Sequence, residues 1–137
     1  METPGKARRI AAWVLTSLLS LLFVASAAAK LARAQPVVEN MGNWGLGDYV
    51  ILIGTGELLS ALLFLIPRTT SAGLLLLSGY MGGAIVTHMQ HGEAFVAQSV
   101  ILALIWVAGY LRHPEVLQSF RGTRTDPAPE RESVSVV

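Results

Sequence analysis

The feature that most restricts the fold of this chain is a run of residues without any charge, from Ile10 to Ala29. As a helix, a run of this length crosses about 30 Å of hydrocarbon. The basic side chains of Lys6, Arg8 and Arg9 precede it. Charged residues make up only 14% of the chain and cluster between apolar runs, whereas about a quarter of a typical soluble domain is charged. The sequence therefore predicts an integral membrane protein.

Three further apolar runs follow. Residues 49–66 contain one charge, Glu57, and end at Pro67-Arg68, while residues 69–88 and 94–111 contain none. Each run is of spanning length, so we predict an all-α fold, an antiparallel four-helix bundle with spans at about 10–29, 49–66, 69–88 and 94–111. Between the first two runs, apolar residues recur at helical spacing from Val37 to Trp44, which predicts a short interfacial helix.

The charges between the runs predict the domain organisation and the orientation. Residues 1–9 form a basic N-terminal segment, 10–113 the transmembrane domain and 114–137 a flexible polar tail. The excess of lysine and arginine on one side predicts that both termini are cytoplasmic in a cell (inner) membrane. The alternative is a secretory signal, because basic residues, an apolar run and Ala27-Ala28-Ala29 also resemble a cleavable leader.

Glu57 is the strongest candidate for a functional residue. A carboxylate near the middle of a membrane is costly and is usually turned inward, paired or protonated. Tyr80 follows the turn at Arg68-Thr69 by as many residues as Glu57 precedes it, so the two side chains are expected at similar depth and within hydrogen-bonding range. Two interpretations stay open: a proton-accepting or ligand-orienting carboxylate, or a polar contact that holds two helices together.

Lys30 and His88 complete the set of candidate site residues. Both are expected at the end of the bundle opposite the termini, His88 at the level of Tyr49. Because about 12 Å of helix separates that level from Glu57, direct contact between Lys30 and Glu57 is expected to need helix tilt or a water. His88 and His91 are three residues apart, which could suit a metal or haem, but the spacing favours interfacial polar residues at a helix end, and we assign no metal site.

The spacing of the glycines and the composition of the chain exclude several kinds of site. Gly79 and Gly83 form a small-xxx-small pattern, which predicts close helix packing, and we assign Gly54-Thr55-Gly56 to packing rather than to dinucleotide binding. The chain has no cysteine, which excludes disulfides and thiolate sites within it. The net charge of +1 leaves no basic patch for a nucleic-acid partner.

Several motifs together resemble the DoxX-like family of small four-helix bacterial membrane proteins. They are Ala29-Lys30-Leu31, Gly56-Glu57-Leu58-Leu59, Pro67-Arg68-Thr69, and the block from Leu77 to Ala84 that leads to Thr87-His88. The resemblance covers about residues 10–113. It implies that Lys30, Glu57, Tyr80 and His88 are family motif positions, although it implies no role for each.

What the resemblance implies about function is a link to quinone-dependent sulfur oxidation or to oxidative-stress complexes. The resemblance therefore implies a quinone as the cofactor. It also implies a membrane or peripheral redox protein as a partner, in addition to the lipid bilayer. The chain departs from thiol-based versions of this chemistry because it lacks cysteine. The alternatives are a noncatalytic membrane scaffold or assembly partner, and a small transporter or enzyme acting on a lipophilic molecule. The sequence also leaves open whether the protein forms a homo-oligomer.

Overall fold

The computed structural model describes residues 5–121, which are helical and contain no strand. We label the helices α1 (Lys6–Leu31), α2 (Gln35–Asn43), α3 (Val50–Leu65), α4 (Thr70–Gln90) and α5 (Val96–Arg112). Short 3₁₀ helices occupy Gly47–Tyr49 and Pro114–Arg121. The four predicted spans correspond to α1, α3, α4 and α5, and α2 is the short helix predicted between the first two spans.

The four long helices form a closed ring. Helix α1 packs against α3 and α5, and α4 packs against the same two helices, so α1 and α4 face each other across the centre. Within residues 5–121, three segments are long and apolar enough to cross a membrane: Lys6–Leu31, Gly47–Leu65 and Thr70–Gln90. Helix α5 is apolar but has 17 residues, at the lower limit of spanning length. The chain is a multi-pass membrane protein.

The exposure pattern is that of a bundle surrounded by lipid. Leu18, Leu21, Leu52 and Leu75 are among the most exposed large apolar side chains, and all four lie within the long helices. The core between the helices is also apolar and is built around Phe23, Phe64, Leu74, Leu77 and Ile105. Because both faces of each helix are apolar, hydrophobicity alone does not determine which face points inward.

Arg112 joins three helices at the end of the bundle where the chain begins. Its guanidinium donates hydrogen bonds to the carbonyls of Phe64, at 2.7 Å, and Leu65, at 3.0 Å, and lies 4.8 Å from the centroid of the Trp13 ring. The last carbonyls of α3 have no partners within their own helix, so Arg112 caps that helix from α5.

Arg112→Gln should therefore lower the free energy of unfolding by about 1.5–3 kcal/mol, the usual contribution of a charged hydrogen bond. Denaturant unfolding in detergent micelles, followed by circular dichroism, measures the change. Arg68→Gln is the matched control, because Arg68 is an exposed residue at the same end. Equal stability of the two variants would contradict the capping role.

The folded part extends further than predicted after α5. Pro114–Arg121 form a 3₁₀ helix, and Val116 packs against the apolar core. Val116 supplies apolar surface that the polar composition of the tail obscured, and the flexibility of residues 114–137 stays a prediction. Residues 122–137 lie outside the described residues.

Candidate functional site

A cavity of about 480 Å³ lies in the half of the bundle remote from Arg8 and Arg112. Its volume is within the range of small-molecule binding sites. All four residues predicted from the sequence line it, namely Lys30, Glu57, Tyr80 and His88. Most of the remaining wall is apolar: Leu22, Phe23, Met41, Ile53, Met81 and Ile101. The site is thus an apolar chamber with a few polar groups.

Lys30 and Glu57 form a buried ion pair. The Lys30 ammonium donates hydrogen bonds to Oε2 of Glu57, at 2.8 Å, and to Oγ of Ser26, at 2.7 Å. Glu57 is 1% exposed and Lys30 is 9% exposed. Each charge compensates the other in a region of low dielectric constant, where removal of either partner would leave an unpaired buried charge.

The contact is direct, without a bridging water, and the depth expected for Lys30 is wrong. A side chain at Gly54 would lie 2.9 Å from Cβ of Lys30, which places Lys30 beside Gly54 and only one turn from Glu57. Lys30 is therefore deeper than Tyr49. The connection from α1 to α3 contains α2 and is too long to hold the end of α1 level with the start of α3.

Tyr80 lies beside the ion pair. Its hydroxyl interacts with the Glu57 and Ser26 side chains. Its ring meets Phe23 edge-to-face, with centroids 6.3 Å apart, and Nζ of Lys30 is 5.9 Å from the Tyr80 ring centroid. The aromatic contact fixes the ring across the bundle from α1, and the phenol is thereby held against the carboxylate.

A second polar cluster lies nearer the end of the cavity. Nδ1 of His88 is 2.8 Å from the Ala84 carbonyl, and Nε2 of His88 is 2.9 Å from Nε2 of Gln98. The Trp44 ring covers His88, with centroids 4.9 Å apart, and Trp44 donates a hydrogen bond of 3.1 Å to Glu93. The segment after α2 thus covers this end of the cavity.

His88 and His91 do not share a ligand site. His91 is exposed, and its Nδ1 lies 2.8 Å from the Thr87 carbonyl rather than beside His88. Among residues 5–121 there is no group of three or more histidine, aspartate or glutamate residues placed to hold a metal ion. The two histidines lie near the end of α4, and each forms a hydrogen bond with a backbone carbonyl of its own helix.

Most of the glycines that were predicted to pack helices together do not do so. Gly79 and Gly83 line the cavity, and a side chain added at either would meet no atom within 4 Å, so the prediction that they pack two helices is wrong within this chain. They are exposed and leave space at the surface of the bundle. Close packing occurs at Gly54, as predicted, but not at Gly56, where an added side chain would meet no atom within 4 Å. It also occurs at Gly73, where a side chain would overlap the Phe64 backbone.

Ser26, Trp44 and Gln98 are site residues that were not predicted. Ser26 precedes Lys30 by four residues, the spacing of neighbours on one helix face, so the sequence did contain a signal for it. Gln98 is a rare polar residue in an apolar run. This position made it conspicuous in the sequence but did not indicate which residue it contacts. Trp44 reaches the site because of the way the connection between α1 and α3 folds, and no pattern in the sequence predicted this.

The fold and the site together make this chain a multi-pass helical bundle whose apolar cavity holds a buried ion pair and a histidine–glutamine pair. A model of the DoxX-like family matches residues 14–109, which cover most of each long helix and include all four predicted site residues. The chain belongs to the DoxX-like family. No curated protein and no solved structure matches it.

Proposed function

We propose that this protein is the quinone-binding membrane subunit, or an accessory factor, of a quinone-linked redox system. The observation that carries the proposal is the cavity, in which the buried pair of Lys30 and Glu57 meets apolar walls. A quinone combines an apolar ring and tail with carbonyl oxygens, and such a site supplies surface for the first and hydrogen bonds for the second.

The polar groups suit a quinone oxygen. A lysine ammonium has three N–H groups, and within residues 5–121 the Lys30 ammonium uses two of them, on Ser26 and Glu57. The third N–H is the donor for a carbonyl oxygen, and the Tyr80 hydroxyl, which interacts with Glu57, holds that carboxylate beside it. Glu57 is the adjacent proton acceptor. Gly79 and Gly83 leave room at the bundle surface for an apolar tail to pass into the lipid.

The redox reaction of a quinone also determines what a partner protein has to supply. Reduction of a quinone to a quinol takes two electrons and two protons, and oxidation releases them. In this proposal the electrons pass to or from a membrane or peripheral redox protein, while Glu57 exchanges the proton of the ring oxygen beside it. Tyr80 and His88 complete the polar part of the cavity wall. We place the protein in the bacterial inner membrane with both termini cytoplasmic. Arg8, Arg68 and Arg112, all at one end, support this orientation.

Quinone binding can be tested through Trp44, which lines the cavity. With Trp13→Phe and Trp106→Phe, Trp44 is the one tryptophan left of the three in the chain. A short-chain benzoquinone added to this protein in lipid nanodiscs should quench its fluorescence with a saturating curve. Tyr80→Phe or Glu57→Gln, which remove a hydroxyl or a proton acceptor, should each weaken binding about tenfold.

The matched control is Thr55→Val, because the Thr55 hydroxyl is exposed and bonds to the Ile51 carbonyl of its own helix. This variant should bind the quinone as the parent protein does. Quenching that rises linearly without saturation, or that is equal in all variants, would show collisional contact in the lipid and would overturn the proposal.

The same cavity fits the alternative of a transporter or enzyme for another lipophilic molecule. Its apolar wall does not distinguish a quinone from other ring compounds of similar size. A saturating response to an apolar ring without carbonyls, equal in Tyr80→Phe, would favour that alternative.

A further inference from the structure

The connection between α1 and α3 covers one end of the cavity. Met41, Trp44 and Leu46 of this connection line the cavity, and Met41, 4% exposed, is the one buried residue of α2. The Trp44 ring lies over the His88 ring of α4, with centroids 4.9 Å apart. A ligand that enters from this end therefore has to displace side chains of the connection.

The connection is hydrogen-bonded almost entirely to itself. The backbone amides of Val37, Trp44 and Leu46 donate to carbonyls within residues 34–46, at 3.0, 3.1 and 2.7 Å. In the part of the chain that the structure describes, no side chain of α2 forms a hydrogen bond or an ion pair. Helix α2 can consequently move as a unit without losing its own hydrogen bonds.

The joints at both ends of the connection allow it to bend. Arg33, which follows α1, has a φ of 53°, a left-handed conformation that is usual for glycine after a helix and unfavourable for arginine. At the other end, Gly45, with a φ of 73°, and Gly47 lie on either side of Leu46. Glycine adopts many backbone conformations, so α2 can swing away from the cavity while α1 and α3 stay in place.

One polar contact fastens the connection to the opposite wall. Nε1 of Trp44 donates a hydrogen bond of 3.1 Å to Oε1 of Glu93, in the turn between α4 and α5. Among residues 5–121 it is the one side-chain hydrogen bond from residues 34–46 to the rest of the bundle. The bond is exposed, so water can replace both partners when they separate.

We propose that residues 34–46 form a lid, which opens at the contact between Trp44 and Glu93 to admit the ligand and then closes over it. The inference rests on the proposed function, because it names the entry path and the gate of the same cavity. The Met41 side chain and the Trp44 ring leave the cavity together, since one short segment carries both. Opening of the lid then limits the rates at which the ligand binds and leaves.

Motion of the lid can be measured without any ligand. The chain has no natural cysteine, so spin labels attach only at Asn40→Cys, on the exposed face of α2, and at Leu75→Cys. Leu75 is 71% exposed and precedes His88 by 13 residues, about 20 Å along α4. In nanodiscs, pulsed electron paramagnetic resonance should show one main distance in this parent protein. Glu93→Ala, which removes the acceptor, should add a second, longer distance.

Glu93→Gln is the matched control, because it removes the same charge but keeps a side-chain oxygen that accepts the Trp44 hydrogen bond. Its distances should be those of the parent protein. Trp44→Phe keeps a ring over His88 and removes the donor, so it should add the same longer distance as Glu93→Ala. It also decides the outcome if Glu93→Ala does not fold.

The effect on ligand exchange is measured by stopped-flow quenching of Trp44 with a short-chain benzoquinone, in the protein whose other two tryptophans are phenylalanine. Glu93→Ala should raise the association and dissociation rate constants about fivefold each, the usual effect of losing one hydrogen bond. Kd should stay within about twofold of the parent value, because the lost bond holds the lid and does not contact the ligand. Glu93→Gln should exchange the quinone at the parent rates.

The outcomes separate the lid from quinone binding. Unchanged distances in Glu93→Ala and Trp44→Phe would overturn the lid, and so would a longer distance with unchanged rates, which would leave entry from the lipid beside Gly79 and Gly83. A longer distance in Glu93→Gln would show that charge, rather than the hydrogen bond, holds the segment, and would overturn the proposed contact. If the parent protein does not bind the quinone, the proposed function fails, and the distances still decide whether residues 34–46 move.

Discussion

Lys30→Met should lower the free energy of unfolding by about 3–5 kcal/mol, the usual cost of removing one partner of a buried ion pair. The change keeps the length and apolar stem of the side chain, but it leaves Glu57, 1% exposed, without the ammonium that now lies at 2.8 Å. Loss of the bond to Ser26 adds a smaller contribution. Denaturant unfolding in detergent micelles at neutral pH measures the effect.

The double variant Lys30→Met/Glu57→Leu separates the lost pair from lost packing. Replacing both charges with apolar side chains should recover most of the stability, because no unpaired charge then remains in the bundle. If the free energy of unfolding of the double variant fell by the sum of the losses in Lys30→Met and Glu57→Leu, this result would contradict the interpretation. The double variant should nevertheless fail to bind the quinone, since it lacks both the donor and the proton acceptor.

Gly73→Ala should also be strongly destabilising. A methyl group at this position overlaps the backbone nitrogen and Cα of Phe64, which are main-chain atoms of α3 and cannot rotate away. Helices α3 and α4 would have to separate near their turn, and overpacking of this kind costs about 1–3 kcal/mol or more. We expect a lower midpoint of thermal unfolding in detergent.

Gly79→Ala is the matched control on the same helix. Its methyl group enters open space, and alanine favours helix over glycine by about 1 kcal/mol in soluble hosts, so this variant should be at least as stable as wild type. Comparable losses in the two variants would show that helix propensity, rather than the approach of α4 to Phe64, determines the result.

The four spans were predictable because uncharged runs of this length have few other stable folds in a membrane. Glu57 was predictable for a related reason: a charge within such a run is expensive and needs a partner. Counting residues from the turn at Pro67-Arg68 was enough to bring Tyr80 to the same cavity. Short connections preserve such counting, since they leave little freedom in the relative height of two helices.

The depth of Lys30 and the roles of the glycines were not predictable in this way. The connection between α1 and α3 is long and contains α2, so residue counting does not fix the height of Lys30 against Glu57. Gly73 and Gly79 look alike in sequence, but one lies where α3 and α4 touch and the other where they leave a cavity. Such differences depend on which face of an apolar helix points inward, which hydrophobicity does not encode here.

The most direct test of the account is extraction of lipid from the protein purified in mild detergent from its own membrane, with the quinone content measured by absorbance. We expect about one quinone or quinol per chain in the wild type. Gly83→Phe, which fills the cavity without meeting any atom within 4 Å of its first side-chain carbon, should be folded and almost free of quinone. No quinone in the wild type, or equal amounts in both proteins, would contradict a quinone site in this cavity.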